Sequence, residues 1–161
     1  MSYIIKKSNL FFSRFNNRYR GKTDDNRFVY GDSLLFDDAG TAYIVVNHTA
    51  TTATNMCYWK IYKIKPNTYG ERAPERDSFN RFLYQDDLIR ANIGKNQNEI
   101  ILGVVLFADG EWGIKRIGGT EFFPFKYLNA KNTDLFEVAG NIYDNPILIR
   151  NYIGGNNVHS C

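Results

Sequence analysis

Ile100-Ile101-Leu102-Gly103-Val104-Val105-Leu106-Phe107, then Ala108-Asp109-Gly110-Glu111, then Trp112-Gly113-Ile114-Lys115-Arg116-Ile117, is the stretch that decides the fold class. Two apolar runs flank an Asp-Gly pair, which is a hairpin signal because glycine accepts a positive φ at little cost. Gly118-Gly119 then turns the second run into a third, Phe122 to Tyr127. Upstream, Arg27 to Phe36 reads as a strand, Asp37-Asp38-Ala39-Gly40 as a turn and Ala42 to Val46 as the returning strand. Asn47 to Asn55 is Thr/Ala-rich and reads as a loop. Cys57 to Ile64 alternates, with Trp59 and Ile61 on one face and Tyr58, Tyr62 and Ile64 on the other, until Pro66 ends the strand. Residues 66–80 hold two prolines and many charges and read as a surface loop, and Arg81 to Ile93 as one strand. Leu135 to Tyr143 is the last strand. Asn145 before Pro146 is a helix start, giving one or two turns over Ile147 to Tyr152.

Short strands in hairpins, with a helix only at the end and few other helical turns, predict a mainly β fold built as an antiparallel sheet or small barrel. Parallel folds need helical crossovers of about a dozen residues, and none stands between these strands. Composition agrees. In 161 residues, aromatic side chains make up 16%, and they favour pleated, half-buried surfaces. With 43% hydrophobic and 23% charged residues the chain has the balance of one ordinary globular domain. No run approaches the roughly 18 apolar residues of a membrane span, so no membrane role is expected. The opening Met1-Ser2-Tyr3-Ile4-Ile5-Lys6-Lys7 lacks the apolar centre of a signal peptide. The two cysteines, Cys57 and Cys161, form no framework, which fits a reducing cytoplasm.

The net charge of +3 is unevenly spread. Residues 1–27 carry seven basic side chains against Asp24 and Asp25, an excess of five, so the remainder is net negative by two. At this end Phe11, Phe15 and Tyr19 interleave with Arg14, Arg18 and Arg20, and Lys22 follows. A short amphipathic helix and a strand leading into Gly21 fit the segment equally well. Arginine and lysine neutralise phosphates while aromatic rings offer stacking faces, so Arg14, Phe15, Arg18, Tyr19, Arg20 and Lys22 form a candidate surface for a nucleic acid or nucleotide. The alternatives are that the aromatics dock on the sheet, or that they pack against another subunit.

The residues point away from catalysis. Of the two histidines, His48 lies in the Thr-rich loop and His159 near the end, and a His48–Cys57 pair competes with the usual reading of a strand cysteine as buried and inert. Zinc needs three or four Cys/His ligands at defined spacing, and no phosphate-cradling loop is present, so neither a metal nor a cofactor is expected. The carboxylate pairs Asp24/Asp25, Asp37/Asp38 and Asp86/Asp87 fall at turns or strand ends, where neighbours point to opposite faces. A metal-dependent hydrolase of nucleotides or nucleic acids assembled from such ends is the one enzymatic alternative.

Three stretches resemble the YopX-like proteins of bacteriophages and prophages. Tyr19-Arg20-Gly21-Lys22 with Asp25-Asn26-Arg27-Phe28-Val29-Tyr30-Gly31 is similar to that family's opening. Tyr84-Gln85-Asp86-Asp87-Leu88-Ile89 is similar to its central element, with Asp86 where the family usually has glycine. Phe136-Glu137-Val138-Ala139-Gly140-Asn141-Ile142-Tyr143-Asp144-Asn145-Pro146 matches its terminal signature over eleven consecutive residues. Pro66, Thr68 and Gly70 fit a Pro-x-Thr-x-Gly turn, whereas Asp77-Ser78-Phe79-Asn80 replaces the family's Lys-Asn-Gly turn. The resemblance implies a β-rich fold with a small SH3-like barrel and no activity or cofactor. It divides the chain into a basic aromatic arm (1–18), a YopX-like β domain (19–153) and a flexible tail (154–161). In it, Tyr84, Asp87, Gly140, Asn141, Ile142, Tyr143, Asn145 and Pro146 serve as structural motif residues. The expected function is that of a non-enzymatic phage or prophage accessory protein in the host cytoplasm, homo-oligomeric, binding a host protein or a small signalling molecule in host takeover or counter-defence. The alternative is nucleic-acid or nucleotide binding through the arm.

Overall fold

The computed structural model describes residues 17–49, 57–93, 99–128 and 136–156. Among them run β1 (Tyr19–Lys22), β2 (Phe28–Gly31), β3 (Ser33–Phe36), β4 (Ala42–Thr49), β5 (Cys57–Lys63), β6 (Gly70–Arg76), β7 (Phe82–Tyr84), β8 (Asp87–Asn92), β9 (Ile100–Ala108), β10 (Glu111–Arg116), β11 (Phe122–Pro124), the helical turn α1 (Phe125–Leu128), β12 (Phe136–Asn141) and the helix α2 (Pro146–Asn156). Every pairing is antiparallel. The strands form three sheets, ordered β2-β1-β6-β7, β3-β4-β5 and β11-β10-β9-β8-β12. The fold is mainly β, as expected, and the small barrel takes the form of one sheet curled into a half-barrel.

The β9–β10 hairpin forms as read. Asp109 and Gly110 both take positive φ, 52° and 81°, the twist that a two-residue loop between right-twisted strands requires. Ile101, Val105 and Ile114 from this hairpin join Leu83, Ile89 and Phe136 in the larger buried cluster. A smaller cluster of Ala42, Ile44 and Ile64 lies under β4 and β5, with Tyr19 and Val29 packed against it. On β5 the expected alternation holds: Ile64, just beyond the strand, is buried and Trp59 and Ile61 are exposed.

Four segments differ from the sequence reading. Arg27 to Phe36 is two strands, because the backbone passes from one sheet to the next at Asp32, whose amide donates to the Val45 carbonyl. The region read as a loop over 66–80 contains β6, and Pro74 sits in the irregular register between Arg72 and Arg76, where a missing donor is tolerated. Arg81 to Ile93 breaks into β7 and β8 at Asp86, which takes φ +69° in the place where the family usually has glycine. Phe122 to Tyr127 leaves the sheet after Pro124 for a helical turn. In addition, β4 runs to Thr49, into the stretch read as a loop. The helix α2 runs past Tyr152 through Gly154 to Asn156, and the rest of the expected tail lies outside the described residues. The first part of the arm, including Arg14 and Phe15, also lies outside them. Among the described residues no helix is long and apolar enough to cross a membrane.

Candidate functional site

The arm's helix-or-strand ambiguity resolves at its end: Tyr19 to Lys22 is β1, paired with β2 and β6. Residues opposed in an antiparallel pair share a face. Lys22 lies opposite Phe28 and Arg20 opposite Tyr30, while Arg72 lies opposite Tyr84 and Arg76 opposite Phe82. One face of the four-stranded sheet therefore alternates cations and aromatic rings. The other face turns Tyr19, Val29, Ala73 and Leu83 to the two cores. The contacts follow the register. The Arg20 guanidinium lies 4.9 Å from the Phe28 ring centroid and 5.0 Å from that of Tyr84. The Lys22 ammonium is 5.3 Å from Phe28. Arg72 and Arg76 both stack on Phe82, at 4.3 and 3.6 Å.

Half of this face is closed by carboxylates from elsewhere in the chain. Arg20 and Lys22 are each only 5% exposed. Arg20 Nη1 pairs with Asp87 Oδ1 at 2.5 Å and Nη2 donates to the Gln85 carbonyl at 2.9 Å. The other Asp87 oxygen accepts the Tyr84 amide at 2.8 Å. Burial pushes the Asp87 carboxyl up from the usual range, against the pull of Arg20 and that amide. Lys22 Nζ pairs with Asp144 and holds its carboxyl below the usual range. The Tyr143 hydroxyl donates to Asp86, and burial with that bond pushes the phenol up. The Arg20 Nε is buried with no acceptor among the described residues.

The terminal signature builds the clamp that delivers these groups. Asn141 Oδ1 accepts the amides of Tyr143 and Asp144, and Asn145 Oδ1 accepts the Asn141 amide at 3.1 Å. Gly140 takes φ +155°, and a Cβ there would stand 2.2 Å from Asn145 Oδ1. Ile142 ties the loop to the central motif by donating its amide to the Asp86 carbonyl. Pro146 opens α2, as expected, but the Asn145 side chain serves the Asn141 amide.

At the edge of the Arg20–Asp87 pair is a surface cleft of about 370 Å³ lined by Asn17, Arg20, Tyr30, Arg81, Phe82, Tyr84, Asp87 and Val138, with Arg72 and Arg76 outside its lining. The Tyr30 and Tyr84 rings stand 5.4 Å apart in its wall. Tyr84 donates its hydroxyl to the Asn17 carbonyl, and burial pushes that phenol up to about 12. Arg81 borders the cleft, held by Asp77, which is 3% exposed and accepts Arg81 Nε at 2.6 Å and the Phe79 amide at 3.0 Å. That is the turn replacing Lys-Asn-Gly, with Asn80 at φ +64°.

Of the expected site residues, the structure brings Arg20, Tyr84 and Asp87 together through one ion pair and one hydrogen bond, with Tyr143 bonded to the neighbouring Asp86. Arg18 stands apart, exposed, pairing with Glu71 at 2.7 Å and lying over Tyr19. The register adds Arg72, Arg76 and Phe82, and the cleft lining adds Arg81; the two β6 arginines were missed because Pro74 hid that strand. The i, i+2 spacing of Phe82 and Tyr84 was the available signal. Among the described residues no group of three His, Cys, Asp or Glu side chains could hold a metal ion.

Fold and site define a small antiparallel β protein in which a C-terminal loop and a central turn clamp acids onto a cation–aromatic sheet face. The chain belongs to the YopX protein family, whose model matches residues 18–150. It is similar to the crystal structure of protein yopX from Bacillus subtilis, at 19% identity over 83% of this chain and 96% of that one, with a TM-score of 0.49. No curated protein matches it.

Proposed function

We propose that the chain is a phage or prophage accessory protein of the bacterial cytoplasm that acts by binding a partner, as a homo-oligomer, and leaves that partner chemically unchanged. The observation that carries this reading is the cleft walled by Tyr30, Phe82 and Tyr84 with Arg20 and Arg81 at its edge. Flat apolar walls with a few fixed polar groups suit binding. The nearby acids support the same reading, since Asp86 and Asp87 already receive hydrogen bonds from Tyr143, Arg20 and the Tyr84 amide. Exposed Trp59 and Ile61 on one face of the three-stranded sheet support self-association.

Native mass spectrometry of the protein purified from bacterial extract tests both parts. The expected result is an oligomer carrying a non-covalent species that stays intact on prolonged incubation. A strict monomer contradicts the assembly. Conversion of the species with time, lost in Asp86→Asn or Asp87→Asn, contradicts the binding reading and supports the hydrolase.

A nucleic-acid reading through the arm draws support from the exposed Arg18 stacked on Tyr19. Arg20 is held in the Asp87 pair, so the clean test is Arg14→Ala with Arg18→Ala. That reading predicts earlier salt elution from heparin; unchanged elution contradicts it.

A further inference from the structure

Charge accounting on the sheet face leads to a ligand class. Its four cations are not equivalent. Arg20 and Lys22 are matched by Asp87 and Asp144. Among the described residues no carboxylate lies within ion-pair distance of Arg72 or Arg76. Both guanidinium carbons lie within 4.3 Å of one ring centroid, that of Phe82, and Phe82 is itself a wall of the cleft. Arg76 Nη1 donates to the Asn80 carbonyl at 2.9 Å, which leaves its charge unneutralised, and an anion within reach of both guanidiniums relieves their mutual repulsion. A monocarboxylate would leave one of the two charges unmatched, whereas a phosphate or diphosphate matches both and suits the planar guanidinium fork. Beyond Phe82 the cleft continues to Tyr30, whose exposed ring offers a face to a flat group. Its volume of about 370 Å³ falls in the range of small-molecule sites, roughly 300–1,000 Å³, so it suits one compact ligand.

We propose that this cleft binds a nucleotide, with its base against Tyr30 and its phosphates reaching past the Phe82 wall to Arg72 and Arg76, which contact Phe82 from outside the cleft. The inference rests on the binding reading above and names its ligand. Neither Arg72 nor Arg76 belongs to the clamp, so replacing them leaves the Arg20–Asp87 and Lys22–Asp144 pairs in place.

The test is calorimetric titration of the full chain at low salt with ADP, GDP, CDP and UDP, and with adenosine, pyrophosphate and short oligodeoxythymidine as controls. At least one diphosphate is expected to bind saturably, with adenosine and pyrophosphate each weaker by about tenfold or more. Arg72→Gln with Arg76→Gln is expected to weaken it by about tenfold or more while far-UV circular dichroism stays unchanged. Failure of all four diphosphates overturns the inference, as does pyrophosphate binding as tightly as a nucleotide or affinity indifferent to the double substitution. Oligodeoxythymidine binding more tightly than any mononucleotide, and more so with length, overturns it in favour of a polynucleotide. The binding reading survives each of these, because the intact co-purified species is measured without presupposing its chemistry.

Discussion

Arg20 and Asp87 are buried against each other, and the energetic consequence is asymmetric. Removing one partner leaves a charge in the interior, which costs about 3–5 kcal/mol, whereas replacing both by apolar side chains of similar size is far cheaper. Urea unfolding is therefore expected to show Arg20→Ala and Asp87→Ala each losing stability on that scale, with Arg20→Met/Asp87→Leu losing much less than their sum. Additive losses would contradict the pairing. Glu75 is the opposite case. One of its carboxylate oxygens is buried with no partner among the described residues, and burial raises its pKa above the ordinary 4.5. Its charged form is thus disfavoured in the folded state. The penalty is absent below the unfolded value and full above the raised folded one. Glu75→Gln is expected to raise the melting temperature at pH 7, with the gain fading as the pH falls through 4.5. A loss of stability at neutral pH would contradict it. At this scale the sequence was least informative, because Arg20 read as part of a phosphate-binding surface while its partner stands far along the chain. Asp87 was legible only as a motif letter, and neither Arg20 nor Lys22 announced its acidic partner.

The elements most open to reading were those defined by local chemistry. Asp109-Gly110, Asp37 to Gly40 and Asn145-Pro146 each announce a turn or a helix start within four residues, and each is found there. Elements defined by distant partners were hidden. Strand β6 survives Pro74 because β1 and β7 pair with it on either side of an irregularity. The breaks at Asp32 and Asp86 depend on the carbonyls of Val45 and Val105, which accept their amides. The terminal signature shows why a family motif and a structural element coincide. Gly140 leaves room for the Asn145 side chain, which in turn holds the Asn141 amide. Gly140→Ala is expected to cost about 1–3 kcal/mol by thermal unfolding, the scale of overpacking, and to lose part of that cost when Asn145→Ala is added. A neutral Gly140→Ala would mean that the clamp does not need this contact.

Across the whole molecule, the β class was readable from aromatic content and hairpin spacing, but its division into three sheets was not, since β1–β6 and β8–β12 join segments far apart in the chain. That division makes the candidate site. The β2-β1-β6-β7 sheet turns a cation–aromatic face outward, and β8 with the signature loop covers only part of it. The uncovered part, at Tyr30, Arg72, Arg76 and Phe82, is the binding surface we propose. Titrating ¹⁵N-labelled protein with ADP tests it most directly. The account predicts amide shifts concentrated on β2, β6 and β7 around the cleft, with β3, β4 and β5 unmoved. Shifts confined to residues 1–16 or to the three-stranded sheet, with the cleft silent, would contradict it.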